Sequence, residues 1–471
     1  MPDPLWSFSA RAAINSLKNR DLHPQDLLSA LAERIHEINP VVNALPTLCF
    51  ERAVARAKTA AEHPAPLHGL PVPIKDSYEV AGVRTTWGSR AFADHIATRS
   101  DYCVQAIENA GGLIYAKSNT PEFEAGASTF NEVFGRTLNP WHTGRSAAGS
   151  SGGAAVAVAT GMAFIAQGSD FACSLRYPAS FCGIVGLRPT PGLIPQGPSA
   201  LPYQTLSVIG PLARDVADVG IALEAMVGYE PDDPLTRPLG RPPSFARDAL
   251  QPAKPLRIAF SIDLGVAAVA DEVRSVVKQA AEKLDAAGSE VVEGHPDLVS
   301  CHDAFRPLRA YQFAATWSNL AAGSKALLKP EVVWNIEQGL KLTASDLALA
   351  EHHRARSRRN MLSFLDEHEF LITPTAPVPP NPAEERFVSQ ISGTVQETYL
   401  DWLVLGYAVT ITGCPAISVP CGQTSDGLPI GLQIVGRPHQ EARLLKVAAW
   451  IEQVLDVHLT KPIDPRTPAA K

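Results

Sequence analysis

Leu27, Leu28, Leu31, Ile35 and Ile38 recur at helical spacing, so the pattern predicts a helix over Pro24 to Ile38, and Glu51 to Ala61 reads as a second with mixed faces. A third is predicted over Asp101 to Asn109, capped by Ser100, ended by Gly111-Gly112 and leading into a strand at Leu113 to Ala116. Ala163 to Ala166 reads as a short buried strand, Gln167 to Cys173 as a loop, and Arg176-Tyr-Pro-Ala as a helix start with Pro178 in its first turn. Then come a strand at Ile184 to Leu187, a Pro/Gly-rich loop from Pro189 to Pro202 and a helix from Val216 to Met226. Leu256 to Phe260 is a strand, Asp271 to Ala287 an amphipathic helix ending at Gly288, and Glu290-Val-Val the next strand. Cys301 to about Asp366 is mainly helical. A strand at Phe370, two more over Thr410 to Cys421 and Leu428 to Gly436 joined as a hairpin, and a helix from Glu441 to Leu455 close the chain. Short apolar strands alternating with helices predict an α/β fold, a mixed β-sheet core covered by helices on both sides.

Composition narrows the classes. With 471 residues, 45% of them apolar, the chain can bury a large core, and length alone allows two or three domains. The net charge is 41 − 48 = −7 and no basic tract occurs, so neither nucleic acid nor an anionic membrane is expected as a partner. Seven scattered cysteines form no CxxC pair, which predicts free thiols in a reducing cytoplasm. The first residues lack an apolar signal core, and no run approaches the roughly 18 apolar residues of a membrane span. Glu351-His352-His353 and His368 invite a metal reading, but adjacent histidines on a helix face different ways and no HExxH is present. A solvated charged face is expected, with no metal and no cofactor.

The candidate chemistry gathers between Asn139 and Thr190. Ser150 lies in Ala148-Gly149-Ser150-Ser151-Gly152-Gly153, where glycines let the main chain approach a ligand just before a run of small residues suited to a packed helix. Ser174 falls at a strand-to-helix junction, where backbone N–H groups without helical partners can face a developing negative charge. Lys75, after the apolar run Leu70-Pro-Val-Pro-Ile74, would be carried inward, where desolvation lowers a lysine pKa and yields a neutral base. Gly149-Ser-Ser-Gly-Gly153 formally matches GxSxG, yet no strand clearly precedes it and no His or Asp is placed to complete an α/β-hydrolase triad.

GLPVPIKD, AGSSGGAAVAVATG and GSDFACSLRYPASFCGIVGLRPT together closely resemble the amidase signature family of serine hydrolases, a likeness that runs from about Leu22 to Gly436 and is weakest in the middle. The resemblance implies one domain, 1–471, with a helical segment over about 1–65, a signature core over about 66–225, a proline-rich connection over about 231–255, a variable helical region over about 300–366 and C-terminal core elements over about 370–456. It implies a Ser–Ser–Lys triad: Ser174 as nucleophile, Ser150 as bridging serine after a cis peptide bond, Lys75 as base. Backbone N–H groups of Phe171, Ala172, Cys173 and Ser174 would form the oxyanion hole, with Asp170, Arg176 and Ser151 bracing it. Glu124, in a segment that lines the substrate site in the family, is a substrate-binding candidate together with Ser169 and Trp87; the bland alternatives are an exposed acid on a short helix and ordinary packing. The expected partner is a small-molecule amide, and many relatives are dimers, so a homodimer is expected too.

One departure matters. The family usually carries Gly-Gly before the nucleophile, and this chain has Ala172-Cys173. If those positions hold positive φ, a Cβ costs about 1 kcal/mol or more and displaces the hole; if they serve only close approach, the pocket merely narrows, and the second is expected. Cys173 as nucleophile is the competing assignment. Three functions follow: an amidase, the amidase-type subunit of a tRNA-dependent amidotransferase, or a non-catalytic relative.

Overall fold

The computed structural model describes residues 3–60, 65–238, 240, 244–457 and 462–467. Ala61, the expected end of the second helix, and part of the proline-rich connection lie outside them.

An eight-stranded mixed sheet forms the centre, in the spatial order Glu290–Glu293, Arg257–Phe260, Phe370–Pro374, Pro429–Val435, Ala416–Gln423, Val185–Arg188, Val208–Ala213 and Ile165–Asp170. The first three strands run parallel and every later pairing is antiparallel. Helices cover both faces, among them Arg176–Cys182, Asp271–Ala286 and Glu441–Leu455, so the expected α/β architecture is what forms. A separate three-stranded sheet, Thr47–Leu48, Leu113–Ser118 and Pro71–Lys75, packs its last strand against Ile165–Asp170. That contact brings Lys75 to the serines.

The helix Gly152–Ala159 explains the run of small residues after Ser151, since all eight of its positions are buried. Only Gly, Ala and Val fit there: a Cβ on Gly153 would meet the Asn119 amide nitrogen at 2.4 Å. An apolar surface all round a helix is the signature of complete burial.

Several boundaries differ from the sequence reading. The stretch expected to be a loop, Gln167 to Asp170, is strand, because its polar side chains are buried with partners rather than solvated. Val208–Ala213 is a strand that the pattern hid behind Gly210-Pro211; its pairing to Val185–Arg188 ends at Leu212, so the missing N–H of Pro211 breaks no ladder on that side. Thr410 closes a helix, Val404–Thr410, and the strand begins only at Ala416. Ser100 does not cap the Tyr102–Asn109 helix; Asp101 stands at the cap position, and Ser100 Oγ accepts from the Ala81 N–H instead.

The region over about 300–366 is helical as expected: Cys301–Ser324, Pro330–Leu340 and Ala344–Glu367. The first two, with Trp317 on the first of them, build a small apolar cluster with Phe123, Ala125 and Trp87, apart from the main core. This cluster roofs the candidate site. Among the described residues no helix is long and apolar enough to cross a membrane.

Candidate active site

Lys75 ends its strand with no exposure to solvent. Its Nζ donates to Ser150 Oγ at 2.6 Å and to Ser169 Oγ at 2.8 Å, and lies 2.8 Å from Glu124 Oε1. Three acceptors match the three donors of an ammonium. Burial pushes the Lys75 amine down from the usual lysine range, against the pull of Glu124 and Asp170. Gln167 Oε1 accepts the Lys75 backbone N–H at 3.0 Å and fixes the strand end.

Ser150 follows a cis peptide bond from Gly149, as the resemblance implies. Ser174 lies between the Ile165–Asp170 strand and the Arg176–Cys182 helix and is 7% exposed. Among the described residues Ser174 Oγ makes no hydrogen bond, so the chain of bonds in this structure runs from Lys75 to Ser150 and stops there. Hydrogen bonds between catalytic groups commonly tighten only once substrate is bound.

The loop before Ser174 is pinned through its carbonyls. Ala172 O accepts from Arg176 at 2.7 Å and from Thr410 Oγ1 at 3.0 Å, while Arg188 reaches Asp170 O. The amides are left over: no group among the described residues accepts from the N–H of Phe171, Ala172, Cys173 or Ser174. Four neighbouring free donors beside a serine suit a developing oxyanion. Burial alone would raise the Asp170 carboxyl, but the Arg176 and Arg188 guanidiniums at 2.9 and 3.1 Å hold it down at about 2. Ser151 Oγ clamps the next strand, donating to Ser169 O and accepting from Ser169 N.

The Ala172-Cys173 departure is resolved. Neither residue has positive φ; in this region Ala148 does, at 54°. Close approach is the constraint, met by Gly406 on the facing helix. Cys173 is 1% exposed and burial pushes its thiol well above the ordinary range, which disfavours the thiolate there.

A cavity of about 430 Å³ opens beside these groups, walled by Tyr78, Trp87, Phe123, Glu124, Phe171 and Trp317 among others. Trp87 and Glu124 therefore line a pocket. Ser169 sits beneath it, donating to Glu124 Oε1 at 2.6 Å. Phe123 and Glu124 are consecutive left-handed residues, φ 44° and 60°, each costing about 1–2 kcal/mol for a side chain with a Cβ. Surrounding contacts impose this shape: Lys329 Nζ donates to Ala125 O at 2.7 Å, the Lys329 N–H to Glu122 Oε2 at 2.6 Å, and Ser89 Oγ to Glu122 Oε1 at 2.5 Å.

Sequence reasoning missed Gln167, Arg188, Thr410, Gly406 and Lys329. Arg188 stood inside the GLRPT end of a family motif; Lys329 carried no local signal. Among the described residues no group of three His, Cys, Asp or Glu side chains is placed to hold a metal, and His368 stacks on Phe364.

Comparison with known proteins places the chain in a family. The amidase family model matches residues 26–445. The chain is 34% identical to an acylamidase of Rhodococcus erythropolis, over 97% of each chain. It is 32% identical to a glutamyl-tRNA(Gln) amidotransferase subunit of Moorella thermoacetica, over 97% of this chain and 99% of that one. It superposes on 6-aminohexanoate cyclic dimer hydrolase with a TM-score of 0.88 at 27% identity, covering 98% of this chain and 99% of the other. With family model and relatives matching over nearly the whole length, this chain belongs to the amidase signature family.

Proposed function

We propose that the protein is an amidase that cleaves a non-peptide carboxamide through an acyl-enzyme on Ser174, with Ser150 and Lys75 as its proton relay. The observation that carries the reading is the buried bond from Lys75 to Ser150 beside a serine whose loop offers four unclaimed amides. In its neutral form Lys75 takes a proton from Ser150 as Ser150 takes one from Ser174, and Ser174 Oγ adds to the amide carbonyl. The free amides receive the oxyanion. The relay then returns the proton to the departing amine, and water, deprotonated along the same path, releases the acid. The helical region over about 300–366 roofs the pocket and so shapes the substrate.

The likeness to the glutamyl-tRNA(Gln) amidotransferase subunit sustains a second reading, ammonia delivery from glutamine to a partner complex. Aromatic walls favour the first, since a glutamine side chain offers them little apolar surface.

Intact-mass spectrometry after treatment with a fluorophosphonate, followed by peptide mapping, tests the assignment. One adduct on Ser174, lost in Ser174→Ala and strongly slowed in Lys75→Ala, is expected. An adduct on Cys173, or none in folded protein, overturns it, and glutaminase activity that needs partner subunits selects the second reading.

A further inference from the structure

Glu124 binds the base through one oxygen only. Lys75 Nζ and Ser169 Oγ both meet Oε1, and no hydrogen bond from a described residue is formed to Oε2. The side chain keeps 20% of its surface open, on a residue that lines the cavity. Ser77 also lines the cavity, and its hydroxyl, shielded from solvent and short of full hydrogen-bond geometry, lies close enough to help hold the Glu124 carboxyl down. The open edge of the Glu124 carboxylate therefore faces this space, and the rings of Trp87, Phe123, Phe171 and Trp317 line it. A carboxylate backed by aromatic faces is a receptor for a positively charged nitrogen.

The other charges near this space are already engaged. Glu79 is held by His95 at 2.8 Å and Arg99 at 3.8 Å, and Asp170 is taken by Arg176 and Arg188. Burial pushes the Asp101 carboxyl up to about 7, while Tyr78 stays a neutral phenol because burial raises it. Among the described residues Glu124 is thus the carboxylate beside the base whose second oxygen no cation occupies. The left-handed pair Phe123-Glu124, clamped by Lys329, is what aims it there; an observed backbone outlier at such a site is grounds for a functional hypothesis.

We propose that the Glu124 carboxylate seats an ammonium or amidinium group of the amide substrate, and that filling this seat frees Lys75 of its extra proton so that it can act as base. This deepens the amidase reading and rests on it for the second half. Without ligand, the carboxylate favours the Lys75 ammonium, which cannot accept a proton. A substrate cation at Oε2 neutralises that carboxylate and adds a like charge near Lys75, so the Lys75 proton is released to solvent and a neutral amine faces Ser150. Neutral amides would be cleaved only where the medium itself deprotonates Lys75.

The test is calorimetric binding of phenylbutylammonium and of the matching uncharged phenylbutanol to Ser174→Ala protein, alone and with Glu124→Gln. The ammonium is expected to bind at least tenfold tighter than the alcohol, with proton release revealed by heats that vary with the buffer's ionisation enthalpy. Glu124→Gln should abolish both the preference and the proton release, and Trp317→Leu should weaken the ammonium more than the alcohol. In otherwise wild-type protein, Glu124→Gln should also move the acidic limb of the fluorophosphonate labelling rate to lower pH. Equal affinity for the two ligands, or an ammonium preference that survives Glu124→Gln, overturns the seat; binding without proton release overturns its link to the base. Labelling of Ser174 separates the failures: labelled protein without ammonium preference sinks this inference alone, and unlabelled protein sinks the amidase reading.

Discussion

Cys173 and Gly406 occupy one another's space: a Cβ built on Gly406 would lie 2.4 Å from Cys173 Cβ and 2.7 Å from the Ala172 carbonyl oxygen. The loop before the nucleophile can carry side chains because the facing helix carries none at that point. Gly406→Ala should therefore displace the free amides, lowering kcat by about 10²-fold and stability by about 1–3 kcal/mol. Steady-state kinetics and urea unfolding check both, and Cys173→Gly in the same chain should restore most of the loss.

Ser150→Ala removes the bridge while leaving little polar imbalance, so labelling at Ser174 should slow by about 10²–10⁴-fold with the melting temperature nearly unchanged. Lys75→Met should slow it comparably and also destabilise, because it leaves the Glu124 carboxylate without its cation. Adding Glu124→Gln to Lys75→Met should return stability without returning activity. Thermal melts beside the labelling assay separate the two effects.

Asp170 neutralises two buried guanidiniums. Asp170→Asn should cost about 3–5 kcal/mol and remove activity, since Leu175 N–H and both arginines lose their anchor. The carboxyl is held at about 2 in the fold against 3.8 for the free side chain, so its contribution is complete above about pH 4 and disappears as pH falls through 2. The stability gap between wild type and variant should be level from about pH 5 to 8 and shrink below about pH 4.

The opposite sign applies to Glu452, whose carboxyl burial pushes up to about 8, with Asp215 and Asp218 adding to the rise. Its folded pKa lies above its unfolded one, so the fold loses stability as pH climbs from about 4.5 to 8. Glu452→Gln should leave stability at about pH 5 nearly unchanged and raise it by about 1–2 kcal/mol at about pH 8, read from urea unfolding at the two pH values.

The segment around Ser150 was legible because its demands are local: Gly152 and Gly153 must be glycine for the Gly152–Ala159 helix to pack, and Ser150 sits beside those constraints. The helices Val216–Met226 and Glu441–Leu455 were equally plain, since apolar runs bounded by acidic or glycine signals need no distant partner. The strand at Gln167 to Asp170 was not, because its polar residues are satisfied by Lys75, Glu124, Arg176 and Arg188 from elsewhere in the chain. Glu124 was visible as an acid but not as the partner of Lys75, since a left-handed turn held by Lys329 from 204 residues away decides where it points.

Arg176 ties the nucleophile loop to Gly406, Thr410 and Gln433, contacts 230, 234 and 257 residues further along the chain. A ribosome-tethered polypeptide that has emerged only through the Lys75, Ser150 and Ser174 segments thus still lacks the contacts that brace this loop. The brace is therefore complete only when the strand that bears Gln433 has been made, so the loop's final shape is a property of the nearly finished chain.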